Sequence, residues 1–297
     1  MCNLRDGCPA TFAVMSAAAV VQALGREDGS AWRVVRRLGG GVQEGAWLVS
    51  DAAGSRAVLK FRSDRWAGRV ETAEALVRMA RKRGWPAPAW LRRGVAAGLV
   101  WHLEEFVPGR RPRLTSAEIA REILEVNGRQ AGVADGHGEH DDTWSLYAMR
   151  VVFGDSDQHR GLEAAEGTPA RVARGVRRAV RGFHKVRLRS DDLVHGDFRT
   201  ANFRFAGGRM LAVIDNDTAG PGCRCLDLAT VLLEAHTRGS PHAARVLGQY
   251  GLVRFGSRVL TVCLAWQALE MAYFGLRRWP QFELDRYCSA CTDLLRE

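Results

Sequence analysis

Two short apolar runs, Leu193-Val194 and Leu211-Ala212-Val213-Ile214, each end in acidic residues, and this pair constrains the chain more than any other feature. The first leads into His195-Gly196-Asp197, with Asn202 five positions after the aspartate; the second leads into Asp215-Asn216-Asp217. Short apolar runs bounded by polar turns read as strands. The layout suits phosphoryl transfer, in which one carboxylate positions an attacking hydroxyl while an amide and a second carboxylate hold Mg²⁺ on nucleotide phosphates. A sugar or alcohol hydroxyl has a pKa far above 7, so the base must orient it and accept its proton late. Asp197 is assigned that role. Arg199, two residues on, is placed to neutralise charge on the transferring group. Asn202 and Asp215 are the expected metal ligands, since hard oxygen donors suit Mg²⁺. His195 is read as a brace for the loop, and Asp217 is left open between a second metal, a substrate amine and a turn cap.

These residues resemble the catalytic core of the aminoglycoside phosphotransferase and choline kinase superfamily, where His-Gly-Asp replaces the protein-kinase triplet His-Arg-Asp. The glycine form goes with small-molecule substrates. The resemblance spans about residues 32 to 235 and implies an α+β, protein-kinase-like fold. A small antiparallel sheet lobe precedes a larger helical lobe, and nucleotide binds in the cleft between them. The expected division is 1–30 as an extension with a helix, 31–107 as the nucleotide-binding lobe and 108–297 as the helical lobe. ATP or GTP would be the donor, Mg²⁺ the metal and a hydroxylated small molecule the acceptor. Asp227, in Leu226-Asp227-Leu228-Ala229, matches a family signature whose aspartate accepts backbone hydrogen bonds from the catalytic loop. The chain departs from the family at Gly222-Cys223-Arg224-Cys225, and it lacks the common Trp after Asp215.

Upstream, alternation predicts strands over 32–38, 46–51 and 56–62, then two more near 90–93 and 99–106. Gly40 and Gly41 lie in a glycine-rich turn whose backbone can approach phosphate oxygens. Lys60 falls in Val58-Leu59-Lys60-Phe61, where Val58 and Lys60 share one strand face and Leu59 and Phe61 the other. A helix over 65–83 is expected to supply the glutamate that pairs with Lys60. Glu71 and Glu74 are one turn apart, and the family spacing to Pro88 favours Glu74. Glu104 to Gly109 resembles the hinge, where backbone groups at Glu105 and Val107 would hold the base.

With 46% hydrophobic and 26% charged residues over 297 positions, the composition is that of a globular protein with one two-lobed unit or two small domains. The net charge of +10 raises nucleic acid or an anionic membrane as partners. The arginines at 171, 174, 177, 178 and 181 form the polar face of a helix opened by Thr168 as cap and Pro169. Without interleaved aromatics they read as a solvated face, and neither nucleic acid nor membrane is expected. Seven irregularly spaced cysteines indicate a reducing compartment, and a zinc site from Cys223, Cys225, Cys288 and Cys291 ranks below a loop and a helix. Residues 10–24 are apolar, but Arg5 is offset by Asp6, so a first helix is expected there and not a leader. Gln267 and Glu270 interrupt the run from Val259 to Leu276, which is not expected to span a membrane, and the cytoplasm is the expected location.

Residues 131–145 read as an acidic loop, which the family resemblance implies shapes the acceptor site, with Glu234 and Glu270 beyond it to meet a cationic drug. The function expected is ATP-dependent O-phosphorylation of an antibiotic of aminoglycoside, tuberactinomycin or macrolide type. The alternatives are a metabolic kinase of choline, homoserine or sugar type, and a nucleotide-binding regulator without turnover.

Overall fold

The computed structural model describes residues 17–28, 31–39, 46–96, 98–114, 116–137 and 143–295. Gly40, Gly41 and residues 138–142 of the acidic loop lie outside them. Five strands form one antiparallel sheet: β1 (Arg33–Leu38), β2 (Ala46–Ser50), β3 (Arg56–Ser63), β4 (Trp90–Ala96) and β5 (Leu99–Glu105). Their spatial order is β1-β2-β3-β5-β4. The expected strands are all present. Helix α1 (Ala17–Asp28) covers the outer face, packing Val20, Val21 and Leu24 on Val49, Ala57, Leu59 and Leu103. Lys60 lies opposite His102, and Val58 opposite Glu104, so all four share the other face, which looks into the cleft.

Helix α2 (Ala67–Lys82) buries Val70, Ala73, Leu76, Val77 and Ala80. Ala73, Leu76, Val77 and Ala80 join the larger core with Trp85 and Ala87, and α2 lies beside the edge strand β4. The helical lobe is built from α3 (Ala117–Gly128), α4 (Trp144–Phe153), α5 (Asp157–Ala164), α6 (Thr168–Ala179), α7 (Cys225–Thr237), α8 (Pro241–Phe255), α9 (Ser257–Arg278) and α10 (Gln281–Leu294). α9 is long and apolar enough to cross a membrane by composition alone, yet most of it is buried against α4, α5, α6, α7 and α10. Ser116 caps α3 by accepting from the Ile119 N–H.

Two details differ from expectation. Thr168 does not cap α6; Gly167 precedes the helix, and the Thr168 hydroxyl donates to Asp285 of α10. Residues 144–153, read partly as loop, form α4, which Thr143 caps by accepting the Leu146 N–H at 3.2 Å. Between the helices run two two-stranded ribbons: β6 (Asp192–Val194) pairs with β9 (Gly220–Gly222), and β7 (Phe203–Ala206) with β8 (Arg209–Val213). β7 is also zipped to the interlobe linker, since Arg110 and Phe205 exchange both backbone hydrogen bonds.

Candidate active site

β6 delivers His195, Gly196 and Asp197 to the cleft. Asp227, at the start of α7 and fully buried, accepts the N–H groups of His195 at 2.7 Å and Gly196 at 3.0 Å, and the Gln130 amide at 2.6 Å. This is the bonding that the Asp-Leu-Ala resemblance implied. Burial pushes the Asp227 carboxyl above the usual range, while the imidazole and these donors pull the other way.

His195 ties two segments together. The Asp197 N–H points at its Nδ1 at 3.1 Å, and an amide can only donate, so Nδ1 accepts and Nε2 carries the hydrogen donated to Ile214 O at 2.9 Å. One imidazole thus fixes Asp197 and the residue before Asp215. A second link is the Ile214 N–H to Asn202 O at 2.8 Å.

Asp197 receives the Asn202 amide on Oδ2 at 2.8 Å, and Arg199 Nε stands 2.8 Å from its Oδ1. Asp215 has φ of 68°, the one non-glycine in the left-handed region among the described residues. Such strain persists only where surrounding bonds over-determine it, which the His195 and Asn202 links to Ile214 do.

Gly196 also lies in the left-handed region, at φ of 83°, and a Cβ there would overlap the indole of Trp144. That indole donates to Thr218 O at 3.1 Å and meets Tyr147 and Trp266 edge-on. The glycine that distinguishes His-Gly-Asp from His-Arg-Asp is therefore required here by an aromatic lid on the loop.

On the sheet side, Lys60 reaches Asp215 at 3.2 Å and Glu104 at 2.9 Å. Burial works against its ammonium, but Glu104 and Asp215 outweigh burial and raise its pKa. The expected partner is corrected: Glu74 pairs with Arg93 of β4 and with Arg78, and Glu71 pairs with Arg93 as well. The competing partner is Arg93, on the strand beside which α2 lies, and it takes both glutamates. Asp217, left open by the sequence, is ion-paired to Arg62 of β3. Burial opposes its charge too, yet Lys60 and Arg62 hold its carboxyl below the usual range. Neither Glu104 nor Arg62 was singled out for the site from sequence. At the hinge, the Glu105 N–H donates to Ala89 O at 2.8 Å and its carboxylate accepts the Ala89 N–H at 3.3 Å. Val107 follows in the linker, two residues beyond the end of β5.

A family model described as the phosphotransferase enzyme family matches residues 34–261. The chain belongs to that family. It is a phosphotransferase acting on hydroxyl acceptors, with the kinase-like fold of its structural neighbours. Among curated proteins none matches it significantly. Among solved structures, aminoglycoside phosphotransferase APH(4)-Ia in ternary complex with ADP and hygromycin B superposes with a TM-score of 0.68 at 17% identity, over 94% of this chain and 98% of that one. An amicoumacin kinase bound to AMP-PNP and Ca²⁺ gives 0.62 at 12% identity, over 92% and 93%. An aminoglycoside-3'-phosphotransferase of type VIII gives 0.56 at 21%, over 84% and 96%.

The carboxylates expected to meet a cationic acceptor are engaged inside this phosphotransferase. Glu234 accepts the Thr200 N–H at 2.8 Å and its hydroxyl at 2.6 Å, and pairs with Arg238 and Arg111. Glu270 accepts from the Tyr147 hydroxyl and from the Gln158 amide, and burial pushes its carboxyl up to about 7. Cys223 and Cys225 meet Cys263 of α9, not the α10 pair Cys288 and Cys291.

Proposed function

We propose that this phosphotransferase moves the γ-phosphoryl group of ATP to a hydroxyl of an antibiotic of aminoglycoside, tuberactinomycin or macrolide type, in the cytoplasm where ATP is supplied. The observation that carries the reading is the convergence of Asp197, Asn202, Asp215 and Lys60 through a few short bonds. In this reading Asp197 orients the acceptor hydroxyl and takes its proton, and Arg199 leaves Asp197 to neutralise charge on the transferring group. Lys60 steadies the nucleotide phosphates, Gly40 and Gly41 approach them, and backbone groups of Glu105 and Val107 hold the base.

Magnesium fits the donor set. The Asp215 side chain is 50% exposed, and Asn202 directs both amide hydrogens at Asp197, which leaves its carbonyl oxygen for a hard cation. When bound, the ion supplies charge neutralisation on the phosphates. Hygromycin B and an amicoumacin ligand in the neighbouring complexes support an antibiotic acceptor.

A second reading, a metabolic kinase of an amino alcohol, homoserine or a sugar, is favoured by one observation. Glu234 and Glu270 are turned to protein, so neither is presented to a polycationic drug. Coupled ADP release with ATP and Mg²⁺ against a panel of antibiotics and metabolites separates the two, with Asp197→Asn run beside the parent. An antibiotic hit lost in the variant supports the first reading, and a metabolite hit the second. Nucleotide binding with no turnover on any acceptor refutes both and leaves the regulator.

A further inference from the structure

Lys60 sits between two carboxylates that belong to different lobes. Asp215 has a half-exposed side chain; Glu104 is 3% exposed, and Lys60 itself 11%. Only one of them is free of other duties. Once Asp215 turns to a metal ion, Glu104 is the anion left on the ammonium. Its second oxygen, Oε2, is buried with no hydrogen-bond partner among the described residues. A buried carboxylate in that state is costly unless a charge compensates it, and Lys60 is the cation that does. His102, directly opposite Lys60, is stacked on Trp90, and burial keeps it neutral, so it offers Glu104 no competing charge. Arg62, one pleat further along β3, is engaged by Asp217.

We propose that Glu104 of β5 is the positioning residue that holds the Lys60 ammonium for the nucleotide phosphates, in place of any glutamate from α2. The sheet order makes this geometrically natural. Val58 and Glu104 are register partners, so Glu104 is the diagonal neighbour of Lys60 on the same face, within reach of a long side chain. Both candidate glutamates of α2 close on Arg93 of β4. The lysine is thereby held within a single rigid sheet, and its position does not depend on where α2 stands.

The inference rests on the nucleotide site proposed above, and the test separates the two. Binding of Mg²⁺ with AMP-PNP, and of adenosine, would be measured by calorimetry on the parent, Glu104→Gln, Glu74→Gln and Glu71→Gln. A positioning role requires Glu104→Gln to weaken AMP-PNP by about tenfold or more while adenosine binds as before, because adenosine has no phosphates for Lys60 to meet. The α2 variants should bind both ligands like the parent. Equal loss of both ligands in Glu104→Gln would show a merely structural effect and overturn the proposal. So would parental AMP-PNP affinity in that variant, or an equal loss in Glu74→Gln. Should Glu104→Gln unfold, Glu104→Asp keeps the charge one methylene short and must show the same selective loss. A parent that binds neither ligand refutes the nucleotide site itself.

Discussion

On the helical side of the cleft the loop carrying Asp197 is held mainly by hydrogen bonds to its backbone groups, whereas on the sheet side Lys60 and Arg62 are held by ion pairs, two of which cross to the other lobe. Asp227, His195 and Asn202 bind N–H and C=O groups of the loop at 2.7 to 3.1 Å. Lys60 and Arg62 instead take Asp215 and Asp217. Directional bonds to buried acceptors fix a geometry whether or not a ligand is present. Charge pairs are less directional, and a polyanion entering the cleft can take over one partner without breaking the rest. Asp197, the proposed base, is therefore set before substrate arrives, while the two cations remain available to be retargeted.

The largest expected effect tests the preset base. Asp197→Ala should lower turnover by about 10³-fold or more while leaving Mg²⁺–ATP affinity nearly unchanged, measured by ADP release and calorimetry. Turnover near the parental rate would put the base elsewhere and dissolve the comparison. Next comes the support beneath it. Asp227→Ala leaves two backbone N–H groups and the Gln130 amide without their acceptor, at a cost of about 3 to 5 kcal/mol. Thermal melting should show a Tm lower by about 10 °C. A variant that melted like the parent would mean the loop is not held where the hydrogen bonds suggest. Smaller again is Gly196→Ala, which combines left-handed backbone with the Trp144 ring for about 2 to 3 kcal/mol. Part of that cost, about 1 kcal/mol, should vanish in a Trp144→Ala background, because the ring then no longer opposes the new methyl. Strict additivity in that cycle would show that the indole does not impose the glycine.

The same division explains what the sequence could reveal. Asp197, Asn202 and Asp215 sit at strand ends with fixed spacing, so local order alone brings them to one loop cluster. The face of Lys60 follows from the alternation of β3, one of whose faces α1 buries. Its partner does not follow, because which residue of β5 lies beside Lys60 is set by the pairing register of two strands far apart in sequence. Choosing between Glu74 and Glu104 needs the strand register that sets Glu104 beside Lys60 and the place of Arg93, both non-local properties. Thr168 misled for a related reason: its hydroxyl satisfies Asp285, 117 positions away, although a Thr before Pro has every local mark of a cap. Trp144 had a usable signal in Thr143, but its neighbours in the acidic run masked a helix that is apolar on most sides.

Glu270 gives the smallest prediction, and it bears on the floor beneath the Trp144 lid. Burial disfavours the charge and pushes its carboxyl up to about 7, above the ordinary glutamate range. The native state therefore holds its proton more tightly than the unfolded chain does. The stabilisation this gives is complete below about pH 4.5 and is lost as pH rises through 7. Above that, a carboxylate sits among Tyr147 and Gln158 with no ion-pair partner among the described residues. Glu270→Gln keeps an oxygen for both donors and removes the titration. Its melting temperature relative to the parent should rise between pH 5 and pH 8 by about 3 °C, equivalent to about 1 kcal/mol once solvent at the residue's edge is allowed for. A gap that stayed constant with pH would mean Glu270 is already ionised in the native protein at acid pH. The helical side would then carry a buried charge beyond the Asp192–Arg224 pair, and the contrast with the sheet side would be one of degree.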